Sequence, residues 1–343
     1  MSTSSTSPAR RVAPGGPVAA VLRRVLPAAV QRRVKARLRG TRWFPAPVRP
    51  APRPAVPAVR RFSLTLPPPP GATTGPAPLR IECPPYMFIP RKLEESGLGR
   101  YEPYALDCFL ALVERAGPGA VYDVGANVGL YGLLAGAYSD RAVHCFEPAP
   151  DTAGTARALA AANGVELSVA EIALGEAGGT ATLYLSDSTD SSNSLNPDFR
   201  AHSNEIVVPI ETLDDYVART GDVPAVIKID TETTEPEVLA GARKVIAEHR
   251  PWIMVEVLWS LVEERLHAVM DEFGYSYHHL DGPGPRAATD TIVGDSTWTH
   301  YMFLLTPEPV DAAFWERMNA WRTALDSSTV HPIVETTAEA TVA

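Results

Sequence analysis

From residue 120 onward, short apolar runs alternate with helix-like segments, and this rhythm constrains the fold more than any other feature of the chain. "AVYDVG" is followed by "LYGLLAGAY", "AVHCFEP" by "DTAGTARALAAANG", and "AVIKID" by "PEVLAGARKVIAEH". "WIMVEV" then precedes "LVEERLHAVMDEFG", and "YSYHHL" and "THYMFLL" close the series. Short runs that are apolar throughout suit strands buried on both faces, and intervening helices imply right-handed crossovers. The pattern predicts an α/β domain over residues 120–310 with a mostly parallel, doubly wound sheet. One insertion breaks the rhythm between the third and fourth core strands, at 179–217. Its ends read as strands, and its Ser/Asp/Asn-rich centre, 186–196, reads as a loop able to cover a site.

The flanks differ in composition. Residues 1–80 carry 15 Arg/Lys, no Asp or Glu, and 16 of the 33 prolines. The rest holds 16 basic residues against all 40 acids, so an acidic folded part follows a basic arm. Residues 44–78 read as an extended linker, because proline lacks the amide donor and fixes φ. Order is expected to begin near Ile81. Within the arm, Leu22, Leu26, Val30, Val34 and Leu38 recur every four residues among arginines, so residues 18–39 could form a basic amphipathic helix on an anionic membrane. A solvated, disordered arm is the alternative, and the more favoured one. Residues 81–119 form a helical lead-in, with Ala105, Phe109, Leu112 and Val113 on one face, and 311–343 form a C-terminal helix and tail. Cys83, Cys108 and Cys145 are scattered without metal-site spacing, which points to a reduced, cytoplasmic setting.

The first strand runs into a glycine turn, "VYDVGANVGLYG", with Asp123 at its tip and Gly125, Asn127, Gly129 and Gly132 after it. In sheets of this kind ligands sit beyond the carboxyl ends of the strands. The dinucleotide fingerprint needs a closer first glycine pair, and an acid beside the turn would repel a pyrophosphate. No G-K-[ST] is present, so a P-loop is unsupported. Asp123 suits an ammonium instead. Glu147, at the end of the second strand, suits the hydroxyls of a ribose. A ligand with both groups is S-adenosylmethionine.

With these residues in place the chain resembles the FkbM family of S-adenosylmethionine-dependent methyltransferases. The resemblance rests on "DVGANVGLYG" (123–132), "FEP" (146–148), "IALGEAGGTATLY" (172–184), "PIETLDDY" (209–216), "IKIDTETTEPEVLAGA" (227–242) and "PWIMVEV" (251–257), in family order. It implies the Rossmann-like, seven-stranded sheet of class I methyltransferases and O-methylation of a small metabolite, such as a product of secondary metabolism, or of a glycan. By position, Asp123, Gly125, Asn127 and Gly129 correspond to the methionine-side cradle, Glu147 to the ribose acceptor, and Glu171, Ile172 and Ala173 to the wall beside adenine. The chain departs from the family at Thr233, where a glycine is expected. Glycine in such a turn serves a positive φ or a close approach.

Asp230 and Glu232, at the tip of the fourth strand, are the candidate catalytic carboxylates, with Lys228 on the same face. Asp230, Glu232 and Glu256 could take a divalent cation, but a metal-free site is expected. His202, His278, His279 and His300 are weaker base candidates. Two other readings are an NAD-dependent oxidoreductase or epimerase, disfavoured by the glycine spacing and the lack of Y-x-x-x-K, and a non-catalytic adenosylmethionine-binding protein. Nucleic acid is not an expected partner, since the basic arm is aromatic-poor and the folded part is acidic. The sequence carries no signal for oligomeric state.

Overall fold

The computed structural model describes residues 59–333. Strands β1 (Arg60–Leu64) and β2 (Leu79–Cys83) come first, then helices α1 (Phe88–Ser96) and α2 (Ala105–Arg115). The alternating region follows as β3 (Ala120–Val124), α3 (Leu130–Tyr138), β4 (Val143–Phe146), α4 (Pro150–Asn163) and β5 (Ser168–Ala170). β6 (Ala173–Leu174) comes next, the insertion supplies β7 (Gly179–Ser186) and β8 (His202–Glu211), and α5 (Leu213–Thr220) leads back to β9 (Pro224–Ile229). Then come α6 (Glu235–Ala240), α7 (Arg243–His249), β10 (Trp252–Glu256), α8 (Glu263–Met270), β11 (Ser276–His279), β12 (Met302–Thr306), α9 (Ala312–Leu325) and β13 (Val330–Pro332).

The main sheet has seven strands in the order β5-β4-β3-β9-β10-β12-β11. Five run parallel. β12 is antiparallel to both its neighbours, β10 and β11. The chain moves outward from β3 to β5 and then returns to β9, so β3 and β9 flank the switch in strand order where such sheets bind ligands. Every residue of β3 and of β10 is buried, as expected for strands covered on both faces. One core layer joins β1 and β2 to α2, α3 and α9 through Phe62, Leu64, Phe109, Leu133 and Trp321. The other packs α5 to α8 through Leu213, Val217, Val238, Val245 and Leu266. Among the described residues no helix is long and apolar enough to cross a membrane. The three cysteines are free and buried.

Two features differ from the sequence-based expectation. Order starts well before Ile81, because β1 lies inside the stretch read as linker. It pairs Phe62 with Ile81 of β2 and with Pro332 of β13. Phe62, Leu64 and Leu66 are buried at alternate positions, and this short period-two signal is hidden between proline-rich flanks. The tail likewise contributes β13 after its helix. The helix expected over residues 18–39 lies outside the described residues.

Asp107 yields a stability prediction. It faces the core from the first turn of α2, 1% exposed, and neither carboxylate oxygen has a hydrogen-bond partner among the described residues. Burial pushes its pKa up to about 6, and the nearby backbone amides of the first turn, with the Arg322 guanidinium, oppose the rise only in part. An acid with a raised folded pKa carries no penalty below its unfolded value of about 4, and a growing one as pH climbs to about 6. Asp107→Asn should therefore gain on the wild type by about 1–2 kcal/mol between pH 4 and pH 7. Urea unfolding at several pH values checks this, and a pH-independent difference would refute it.

Candidate functional site

The carboxyl ends of β3, β4, β9 and β10 open onto a cavity of about 330 Å³. Gly125 and Ala126 both donate their amides to the Phe146 carbonyl, each at 3.0 Å, which folds the turn after β3 over the tip of β4. Gly125 has φ +73°, and a Cβ there would fall inside the van der Waals radius of the Asp230 carbonyl oxygen. Asp230 in turn donates its amide to Val124 at 3.0 Å, so the tips of β3 and β9 are in direct backbone contact. Asn127 is also left-handed, at φ 50°. Its side-chain oxygen accepts the Val128 amide at 2.9 Å, and its side-chain amide donates to the Asp190 carbonyl at 3.1 Å, tying the insertion loop to the turn.

Glu147 lines this cavity at the end of β4 and is 7% exposed. Oε2 accepts the Asn127 amide and Oε1 the Ala149 amide, both at 2.8 Å. Each carboxylate oxygen can accept more than one hydrogen bond, so both keep capacity for a ligand hydroxyl. Burial raises its pKa, against the pull of these amides. Beyond it, Ile172, Ala173, Leu174 and Leu183 form an apolar wall.

Three residues expected at the cofactor do not line the cavity. Asp123 is fully buried and does not line the cavity. Its Oδ2 accepts the Gly132 amide at 3.2 Å, satisfying a free donor in the first turn of α3, and Oδ1 lies 3.6 Å from Lys228 Nζ. The acid that sequence assigned to an ammonium therefore caps a helix and holds a lysine. Gly129 sits behind the turn, starting α3 at φ +76° against Ala156. Glu171 points outward and pairs with Arg157 at the surface, while its neighbours Ile172 and Ala173 face the cavity.

Lys228, Asp230 and Glu232 do line the cavity, together with Glu256. Lys228 Nζ is 3.2 Å from Asp230 Oδ2 and lies over the Tyr131 ring. Burial pulls its pKa down, but Asp230, Asp123 and Glu102 more than reverse this, so it ends above the ordinary lysine value. Burial pushes the Glu232 and Glu256 carboxyls well above the usual carboxylate range, and Asp230 adds to both. One carboxylate oxygen each from Asp230, Glu232 and Glu256 lies within 4.8 Å of the other two.

The turn from 231 to 234 resolves the departure at Thr233. Glu232 has φ 57° and Thr233 φ 92°, so the backbone takes the conformation for which glycine is expected, with two side-chain-bearing residues in it. Surrounding groups hold it there. Glu235 Oε1 accepts the Thr231 amide at 2.8 Å, the Thr231 hydroxyl at 3.0 Å and the Thr233 amide at 3.2 Å. Asn196 Nδ2 donates to Thr233 Oγ1 at 3.0 Å, and Ser194 Oγ to the Glu232 carbonyl at 2.6 Å.

None of the candidate histidines lines the cavity. His278 packs on Trp315, and His279 stacks on Phe303. His300 packs against Tyr104, and His202 against Tyr184. Sequence reasoning missed Glu102, whose carboxylate accepts the Tyr131 hydroxyl at 2.6 Å, and Arg200, Trp298 and Tyr301, all of them lining residues. They come from loops without a periodic signal. One pointer was the insertion loop, which contributes residues 190–195 and 200 to the lining.

Residues 123–278 match the methyltransferase FkbM domain. Among solved structures, the chain is similar to the methyltransferase FkbM from Methylobacillus flagellatus KT, at 18% identity and TM-score 0.35. That likeness covers 55% of this chain and 43% of that one, so the chain spans less than half the relative's length. It is also similar to the SAM-dependent methyltransferase from Agrobacterium tumefaciens, with 11% identity, TM-score 0.39, and 75% and 72% of the two chains covered. A third is the 16S rRNA N2 G1207 methyltransferase of T. thermophilus in complex with AdoMet and guanosine, with 15% identity, TM-score 0.37, and 75% and 52% covered. No curated protein matches the chain.

Proposed function

We propose, from the match of residues 123–278 to the methyltransferase FkbM domain, that the chain methylates a hydroxyl group of a small metabolite or glycan, using S-adenosylmethionine. The observation that carries the reading is Glu147. It is a buried carboxylate at the tip of β4, oriented by two backbone amides and facing the cavity with lone pairs to spare. Such a group matches the paired hydroxyls of a ribose, and the apolar wall of Ile172, Ala173 and Leu174 matches a flat base. Bound there, S-adenosylmethionine supplies a methyl group on a positively charged sulfur.

The residues of the chain account for the rest. The turn from Gly125 to Asn127 brings backbone close to the ligand. With Asp123 buried beneath the turn, Asp230 and Glu102 are the lining carboxylates nearest Lys228, and they take over the role of facing a cation. Methyl transfer is an in-line displacement, so holding the acceptor oxygen in line is most of the task. The proton of that hydroxyl must leave, and Glu232 and Asp230 are positioned to accept it. Lys228 keeps Asp230 oriented. The insertion loop, with Asp190 and Arg200, forms the acceptor side of the cavity and sets its selectivity. The chain works in the cytoplasm on this reading. The basic arm would add peripheral membrane contact if residues 18–39 form the amphipathic helix.

Glu147→Gln is expected to weaken adenosylmethionine binding 10- to 100-fold in calorimetry, since hydrogen bonds to a charged acceptor contribute about 1.5–3 kcal/mol each. NAD is expected not to bind. Incubation of candidate acceptors with isotopically labelled adenosylmethionine, followed by mass spectrometry, should show one labelled methyl on oxygen. Wild-type affinity in Glu147→Gln would remove the ribose from this position, and saturable NAD binding would overturn the reading as a whole.

A further inference from the structure

We propose that Asp230, Glu232 and Glu256 together bind one hard divalent cation, of the Mg2+ or Mn2+ kind, on the wall of the cavity. The inference deepens the transferase reading and rests on it only for the role of the ion, not for its binding. Asp230 follows β9 and Glu256 ends β10. These strands are parallel neighbours in register at Ile229 and Val255, so the two carboxylates stand side by side at adjacent tips. Glu232 reaches the same point from the turn that Glu235 holds in shape. One oxygen of each lies within 4.8 Å of the others. Oxygens bound to Mg2+ at about 2.1 Å stand roughly 3 to 4 Å apart, so small side-chain rotations complete the set.

Convergence of acids alone would not indicate an ion. Glu256 adds a second, independent observation. It is 7% exposed and lines the cavity, and its Oε2 has no hydrogen-bond partner among the described residues. A buried carboxylate without a partner is costly; a proton or a bound cation removes the cost, and where three acids meet at one point a single cation serves all of them. The lysine does not serve this purpose. Lys228 is in ion-pair range of Asp123 and Asp230, and neither Glu232 nor Glu256 has an ion-pair partner among the described residues. Oxygen donors throughout select a hard ion over zinc or copper. Three carboxylates leave about three positions of an octahedron open toward the cavity. A hydroxyl oxygen of the acceptor fits one of them, which would fix its direction.

The test is titration of MnCl2 into the full chain after removal of metals with EDTA, with no adenosylmethionine or acceptor present. Calorimetry and electron paramagnetic resonance should show one Mn2+ per chain, displaced by excess Mg2+. Glu256→Gln keeps the side-chain volume and removes one of three adjacent charges, and it should weaken Mn2+ binding at least 10-fold. If that variant does not fold, Glu232→Gln carries the same expectation. The absence of saturable binding, or equal binding in the folded variants, overturns the site. Methyl transfer that persists in EDTA overturns the proposed role and leaves the transferase reading intact. Mn2+ binding by a chain that methylates no acceptor would uphold the site and remove the function.

Discussion

A Gly125→Ala variant is expected to lose adenosylmethionine binding and to unfold at markedly lower denaturant concentration than the wild type. The reason is steric and local. The tips of β3 and β9 meet through the hydrogen bond from the Asp230 amide to the Val124 carbonyl, and the Asp230 carbonyl lies where the new methyl group would go. Backbone cannot swing aside as the end of a flexible side chain can. The added atom can be accommodated only if the two strand tips separate at the mouth of the cavity. Overpacking of this kind costs about 1–3 kcal/mol, and placing alanine in the left-handed region adds about 1–2 kcal/mol. A loss of roughly 3 kcal/mol in urea unfolding is expected, with ligand affinity below detection in calorimetry. Stability equal to the wild type would show that the strands are not held in contact.

The second large effect is expected from Lys228→Met. Lys228 is 3% exposed, lies close to both Asp123 and Asp230, and sits over the face of Tyr131. Methionine matches much of its length and none of its charge. Asp123, fully buried, then keeps only the Gly132 amide as a partner among the described residues. Removing one member of a buried ion pair costs about 3–5 kcal/mol, because the remaining charge is left in a poor solvent. The accompanying test is a double variant. If the loss comes from the stranded carboxylate, Lys228→Met with Asp123→Asn should be more stable than Lys228→Met alone, with a coupling of about 1–3 kcal/mol. Additive losses would mean that Lys228 acts through packing and the pairing is incidental.

Gly125 and Lys228 are both residues that the sequence singles out. The glycine turn was legible because an apolar strand followed by Asp123, Gly125 and Asn127 has few other structural uses. What Asp123 does was not. Whether an acid at a strand end faces the ligand or the first turn of the next helix depends on how the side chain packs, and the motif is the same in both cases. The alternation from 120 to 305 was legible for a physical reason. Buried parallel strands are apolar throughout, and the helices that cover them repeat every 3.6 residues. β1 was not legible, since three alternating residues, Phe62, Leu64 and Leu66, are a weak signal beside so many prolines. Ala173 and Glu171 show the same limit at a finer scale. They flank Ile172 on a short extended segment, and sequence reasoning placed the whole segment at the cavity. Glu102, Arg200 and Tyr301 reach the site from loops distant in sequence, so only the folded chain brings them together. Thr233 lies between these cases. The sequence marks the position as one that needs unusual backbone, and the structure shows that Glu235 imposes this conformation through side-chain hydrogen bonds.

The pairing of β1 also bears on how the chain reaches its final form during synthesis. β1 can join β2 early, since Leu64 meets Leu79 only a short distance along the chain. Its other edge waits for Val330. At ordinary ribosomal speeds of about 5–20 residues per second, that partner emerges roughly 10–50 s later. Throughout this interval the nascent hairpin presents an open strand edge, the kind of surface that recruits unintended β-partners. The pairing of Leu64 with Val330 closes that edge only when nearly all of the domain has been made, so this is where a chaperone, or a slower rate of translation, should most improve the yield of folded protein.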